Sequence, residues 1–150
     1  MPHQKRSALL SSAESFCKAF ASKAPLDEIL SHFSTRFEIV AHEHGLKQLA
    51  PFLGRDFTGQ AGVKEYFETI SSCLSYENMQ FSTYVVDASE NRVSVRGEAR
   101  FTWISTGQSW DEVFTYVLAF DEENKVSKYE VWADTGAAYL ASKGLLEGHS

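Results

Sequence analysis

The sequence predicts an α+β fold, with helices lying across the open side of a curved antiparallel sheet. Apolar residues recur every three or four positions through the N-terminal half, the mark of amphipathic helices. After Glu77 four runs alternate apolar and polar side chains instead. The links between them, Ser89-Glu90-Asn91, Gly107-Gln108 and Glu122-Glu123-Asn124, are short, and short links between long strands imply an antiparallel meander. Such a sheet, strongly curved under its helices, makes a cone with an internal cavity.

Taken in order, Leu9, Leu10, Ala13, Phe16, Cys17, Phe20 and Ala21 define a helix from Ser7 to Ser22. Pro25 opens a second, to Phe33, with Asp27 and Glu28 in the first turn where the helix dipole favours acids. Arg36 to His44 reads as a strand, with Phe37, Ile39 and Ala41 on one side and Glu38, Val40, His42 and His44 on the other. Glycines and Pro51 make residues 45–59 a loop with a short strand at Phe52-Leu53. A helix follows from Gln60 to Leu74, its apolar face running from Ala61 and Val63 through Tyr66 and Phe67 to Ile70.

The strands span Glu77 to Ala88, Arg92 to Thr106, Ser109 to Asp121 and Lys125 to Ala133. Val93, Val95, Ala99, Phe101 and Trp103 share one face of the second. In the third, Trp110, Glu112, Phe114, Tyr116, Leu118 and Phe120 share a face, which sets one carboxylate inside an aromatic row. In the fourth, parity groups Val126, Lys128, Glu130, Trp132 and Asp134 against Tyr129, Val131 and Ala133, and neither face is plainly dry. A short helix from Thr135 to Lys143 ends at Gly144 as a C-cap, and Glu147 to Ser150 are expected to fray.

Composition excludes several functions. With 150 residues, 43% of them hydrophobic, the chain is a single globular domain with a real core. A net charge of −6 and the absence of any basic stripe argue against nucleic acid. No apolar run approaches the roughly 18 residues of a membrane span, and the apolar stretch Ala8-Leu9-Leu10 is too short for a signal peptide. Cys17 and Cys73 read as free buried thiols in a reducing compartment, so cytoplasm is the expected location. There is no G-x-S-x-G, P-loop or dinucleotide fingerprint, and neither covalent catalysis nor a cofactor is expected. His42 and His44 share a strand face but lack a further ligand nearby, and no metal is expected.

The order of elements and two passages resemble the SnoaL-like branch of the nuclear transport factor 2-like superfamily. One runs from Phe52-Leu53-Gly54-Arg55 through Phe57-Thr58-Gly59-Gln60-Ala61-Gly62-Val63 to Tyr66-Phe67. The other runs from Asn124-Lys125-Val126 to Trp132-Ala133-Asp134, with Asn124 where the family usually has Gly; Asn also accepts a left-handed backbone. The resemblance covers Ser7 to Lys143 as one domain, leaving residues 1–6 and 144–150 as tails. It implies a cone-shaped α+β barrel, a small hydrophobic ligand and a homodimer. The Arg92, Arg96, Glu98 and Arg100 face is either the dimer surface or solvent-exposed. Relatives include polyketide cyclases, isomerases, dehydratases, epoxide hydrolases and binding modules without catalysis, and fold alone does not choose among them.

Enzymes of that kind place a general acid or base inside an apolar cone, where desolvation raises a carboxyl pKa toward neutrality. The candidate catalytic residues are His42, Glu112, Glu130 and Asp134. Asp134 matches the family's terminal Asp and is equally a helix N-cap; His42 and both glutamates are equally solvent-facing side chains. Tyr84, Trp103, Trp110, Tyr116 and Trp132 are candidates for the substrate-binding wall, with core packing as the alternative. Two functions stand: a cofactor-free isomerase, cyclase or dehydratase working on a polyketide- or terpenoid-like compound, and a non-catalytic ligand-binding or dimeric module. Acids converging inside one apolar cavity would favour the enzyme.

Overall fold

Where apolar residues recur at helical spacing the chain is helical, and where they alternate it pairs into a sheet. The computed structural model describes residues 2–146. In chain order these form α1 (Pro2–Ala21), α2 (Leu26–Leu30), β1 (Val40–Glu43), β2 (Phe57–Thr58), α3 (Gly59–Cys73), β3 (Leu74–Asp87), β4 (Arg92–Trp103), β5 (Ser109–Phe120), β6 (Val126–Trp132) and α4 (Thr135–Ser142). The strands make one six-stranded open sheet in the order β2-β1-β6-β5-β4-β3. The last four are the expected antiparallel meander, while β1 lies parallel to β6 and carries β2 on its other edge. The fold is the expected α+β arrangement, with a curved sheet that does not close.

Several boundaries differ from the periodicity reading. Helix α1 already begins at Pro2. Helix α2 stops at Leu30, because Phe33 is drawn into a bridge with Val126. The first strand shortens to Val40–Glu43, and Phe52-Leu53 contributes only a single bridge, Leu53 to Glu43. The strand in that loop is instead Phe57–Thr58, antiparallel to β1. Helix α3 passes into β3 without a loop, since its C-cap Leu74 already has extended backbone. The expectation for Glu147 to Ser150 lies outside the described residues. Among the described residues no helix is long and apolar enough to cross a membrane.

Bulges give the sheet its curvature. Register shifts in β3 fall between Glu77 and Gln80 and between Ser82 and Val85, and Asn78 and Thr83 take left-handed backbone there. An extra residue in one strand bends it and increases its twist. A third irregularity lies in β6. Ala119 pairs with Lys128, but the adjacent Phe120 pairs with Val126, so β6 carries one additional residue at Ser127. That bulge inverts parity. Val126 is buried with Tyr129 and Val131, whereas Lys128, Glu130 and Trp132 point away from them. The grouping of Val126 with Glu130 and Trp132 on one face is therefore corrected.

Helix α1 lays Leu9, Ala13, Phe16, Cys17 and Phe20 against the concave face, where Phe16 and Phe20 meet Tyr129 edge-on and stacked. Gly97 is needed at its place in β4. A Cβ there would sit 2.3 Å from the Phe114 ring, which crosses the strand toward the cavity. At the turn into β6, Asn124 has φ +62, as its place in the motif required.

Candidate active site

The concave face of the sheet, the end of α1 and helices α2 and α3 enclose a cavity of about 440 Å³. Phe20, Phe52, Phe67, Phe101, Met79 and Phe114 make most of its wall apolar. Exposed Lys23, Ser71 and Ser75 mark the mouth, and fully buried Tyr66 and Tyr129 the inner end. Such a cavity suits a small, largely apolar molecule held by a few polar groups.

Two glutamates reach it from different strands. Side chains alternate along β1, so Glu43 shares the inward face of Ala41, while His42 and His44 project outward. Glu43 is 5% exposed, and its carboxylate accepts a 2.6 Å hydrogen bond from the Tyr66 hydroxyl on α3. Burial pushes its pKa up to about 7; the Tyr66 hydrogen bond opposes this and the charge on Glu112 adds to it.

Glu112, on β5, is 8% exposed and accepts a 2.7 Å hydrogen bond from the Trp110 indole N–H. Burial pushes it up to about 7 as well, against that donor and the backbone N–H of Asp134, while the Asp134 charge pushes it further up. Behind Glu43 stands a row of phenols. Tyr66 and Tyr129 have ring centroids 5.9 Å apart, and Tyr129 and Tyr116 4.8 Å. Burial raises all of them well above the ordinary tyrosine range, so they stay protonated and serve as hydrogen-bond donors.

The other expected site residues divide between the two faces of the sheet. Trp110, Glu112 and Tyr116 line the cavity. Asp134 lies at its edge and caps α4, its Oδ1 accepting from the Ala137 N–H at 3.0 Å. His42, Glu130 and Trp132 do not line it, because the β6 bulge and the parity of β1 turn them outward. There His42 Nδ1 lies 2.8 Å from Asp56 Oδ1, His44 Nε2 lies 2.9 Å from Glu130 Oε2, and His44 stacks on Trp132 at 4.1 Å. Trp132 is 44% exposed. Trp103 points inward but packs beside Phe52, short of the cavity. Tyr84 is half-buried near Cys17 of α1 and does not line the cavity.

Glu43, Tyr66 and Tyr129 were not among the expected site residues. For Glu43 the signal was its parity with Ile39 and Ala41; for Tyr129, its parity with Val131. Among the described residues no group of three His, Cys, Asp or Glu side chains is arranged to hold a metal ion. What the cavity does hold is two carboxyls poised between protonation states near neutral pH, with phenol and indole donors fixing their orientation.

No protein-family model matches the chain, and no curated protein matches its sequence. Solved structures do match, over nearly the whole length. An NTF2-like protein of unknown function from Burkholderia pseudomallei superposes with a TM-score of 0.76 at 15% identity, over 89% of this chain and 96% of its own. The BvnE pinacolase from Penicillium brevicompactum gives 0.69 at 16% identity, over 93% and 92%. A protein from Mesorhizobium loti assigned as a SnoaL-like polyketide cyclase gives 0.63 at 10% identity, over 81% and 96%. At these identities the likeness is one of fold: this chain has the nuclear transport factor 2-like fold, shared with a SnoaL-like neighbour, as its sequence resemblance implied.

Proposed function

We propose that this protein is a cofactor-free acid-base enzyme, an isomerase, cyclase or dehydratase of a small hydrophobic carbonyl compound of polyketide or terpenoid type. The observation that carries this reading is the convergence of Glu43 and Glu112 in one apolar cavity, each with its pKa pushed up to about 7. A general acid or base works best when its pKa lies near the working pH. One protonated and one ionised carboxyl in the same cavity would supply an acid and a base together.

Their donors divide the roles. The Trp110 indole, and the Asp134 backbone N–H near it, favour the charged form of Glu112, so it is the member better held as a carboxylate. Glu43 is more deeply buried and feels the Glu112 charge, so it keeps the proton. Glu112 then removes a proton α to the substrate carbonyl and becomes neutral. Glu43 keeps its proton and donates a hydrogen bond to the developing enolate oxygen, in a site whose aromatic walls exclude water. Return of the Glu112 proton at another carbon completes an isomerisation. Loss of a β-hydroxyl assisted by the acid completes a dehydration. The pinacolase and cyclase names of neighbours sharing the fold support this class of chemistry, though not a particular substrate.

The test is deuterium exchange. The protein is incubated in D2O with a panel of cyclic and β,γ-unsaturated ketones, and label at the α-carbon is followed by NMR. Exchange above background in the wild type, lost in Glu112→Gln, is the expected result. Ketones that bind without exchange would leave a non-catalytic ligand-binding module.

A further inference from the structure

The cavity has a polarity along its length. Its acids, Glu43, Glu112 and Asp134, come from β1, β5 and the segment after β6, whereas Lys23 at the mouth is the one basic residue that lines it among the described residues. The geometry points to an acidic substrate: we propose that Lys23 receives a carboxylate, or an equally acidic enol or phenol, so that the ligand enters carbonyl-first. This rests on the cavity being the substrate site, as proposed above.

Lys23 occupies a position that would ordinarily suit a different residue. Helix α1 ends in a Schellman motif, with the Lys23 N–H donating to Phe20 O at 3.0 Å and the Ala24 N–H to Ala19 O at 2.8 Å. Lys23 takes the left-handed residue of that motif, at φ +56, where glycine is favoured because a side chain strains the backbone. The helix end thereby sets where the Lys23 side chain starts, at the mouth of the cavity. Its ammonium stands 5.4 Å from the centroid of the Tyr76 ring, another lining residue, and the Tyr76 hydroxyl is itself tied to Phe20 O at 2.7 Å. Among the described residues Lys23 makes no ion pair within 4.0 Å. The ammonium is thus placed over a lining ring at the rim, with no carboxylate partner of its own among the described residues.

The inner end reinforces the direction. A ligand carboxylate pushed toward Glu43 and Glu112 would meet the acidic end of the cavity, where the Glu112 charge already opposes ionisation of Glu43. At the mouth the same group meets a cation, and water can solvate its remaining oxygen. An acidic ligand therefore binds in one orientation, which a wholly neutral ligand in an apolar cavity does not require.

The experiment compares a matched pair of probes, 2-naphthoate and 2-acetylnaphthalene, by isothermal titration with wild type, Lys23→Gln and Lys23→Arg. The expected result is that Lys23→Gln weakens naphthoate roughly fivefold at low salt. Acetylnaphthalene should change by less than about twofold, since it forms no ion pair. Lys23→Arg should restore naphthoate binding, and added salt should erode the wild-type advantage. If acetylnaphthalene binds but Lys23→Gln leaves naphthoate unchanged, this inference is overturned and the cavity reading survives. If neither probe binds at all, both fall together. Melting temperatures of the variants confirm that each is folded.

Discussion

The two faces of the sheet carry nearly the same chemistry and put it to opposite use. Outward, His42 pairs with Asp56 and His44 with Glu130, beside Trp132, in groups that water reaches. Inward, Glu43 pairs with Tyr66 and Glu112 with Trp110, in a cavity walled by aromatic rings. Acids beside aromatic residues occur on both sides. Glu43 and Glu112 are pushed toward neutrality, and in each the largest cause is burial. Residue type therefore does not select the acid-base group here; the dielectric around it does.

The contrast can be broken by substitution. Glu112→Gln should lower α-proton exchange by about 10²- to 10⁴-fold, the usual worth of a positioned general base. A variant that retained wild-type exchange would remove Glu112 from the chemistry.

The next effect is on stability and is read from pH. Because the folded-state pKa of Glu43 is raised from 4.5 to about 7, the folded chain holds a proton that the unfolded chain releases between those values. Its stabilising contribution is complete below about pH 4.5, declines as pH rises to about 7 and is lost above that, a span of about 3 kcal/mol. Glu43→Gln should flatten this part of the stability curve and melt above the wild type at pH 8. Parallel curves for the two proteins would show that Glu43 titrates normally.

Tyr66→Phe sharpens the comparison by removing the donor while leaving the ring. The phenol holds the Glu43 pKa down, so its loss should raise that pKa and move the corresponding limb of the exchange profile to higher pH. Stability should fall by about 1–3 kcal/mol, as expected when a buried acceptor loses its partner. An unmoved profile would deny the 2.6 Å hydrogen bond any part in tuning Glu43.

Smallest of all is the outer face. Glu130→Gln should cost less than about 1 kcal/mol, as for other solvent-screened ion pairs, and leave exchange within about twofold. A large loss of exchange would return Glu130 to the candidate site.

Much of this was written in the linear order of residues. Helical spacing in α1 and α3, alternation in β4 and β5, and the short links of the meander follow from local geometry, because side-chain direction depends on position along a regular element. The same alternation placed Glu112 among Trp110, Phe114 and Tyr116, and Asp134 directly before a helix start made it a legible cap. Pairing and its interruptions were not so written. One extra residue at Ser127 exchanged the faces of β6, taking Glu130 and Trp132 out of the cavity and leaving Tyr129 and Val131 in it. β1 is only four residues long, and its parallel partner lies some ninety positions away in the chain, so parity separated His42 from Glu43 without saying which of the two faced the cavity. The sequence by itself determined which residues could alternate; tertiary pairing decided which side of each strand lost its water, and with it which carboxyls titrate near neutrality.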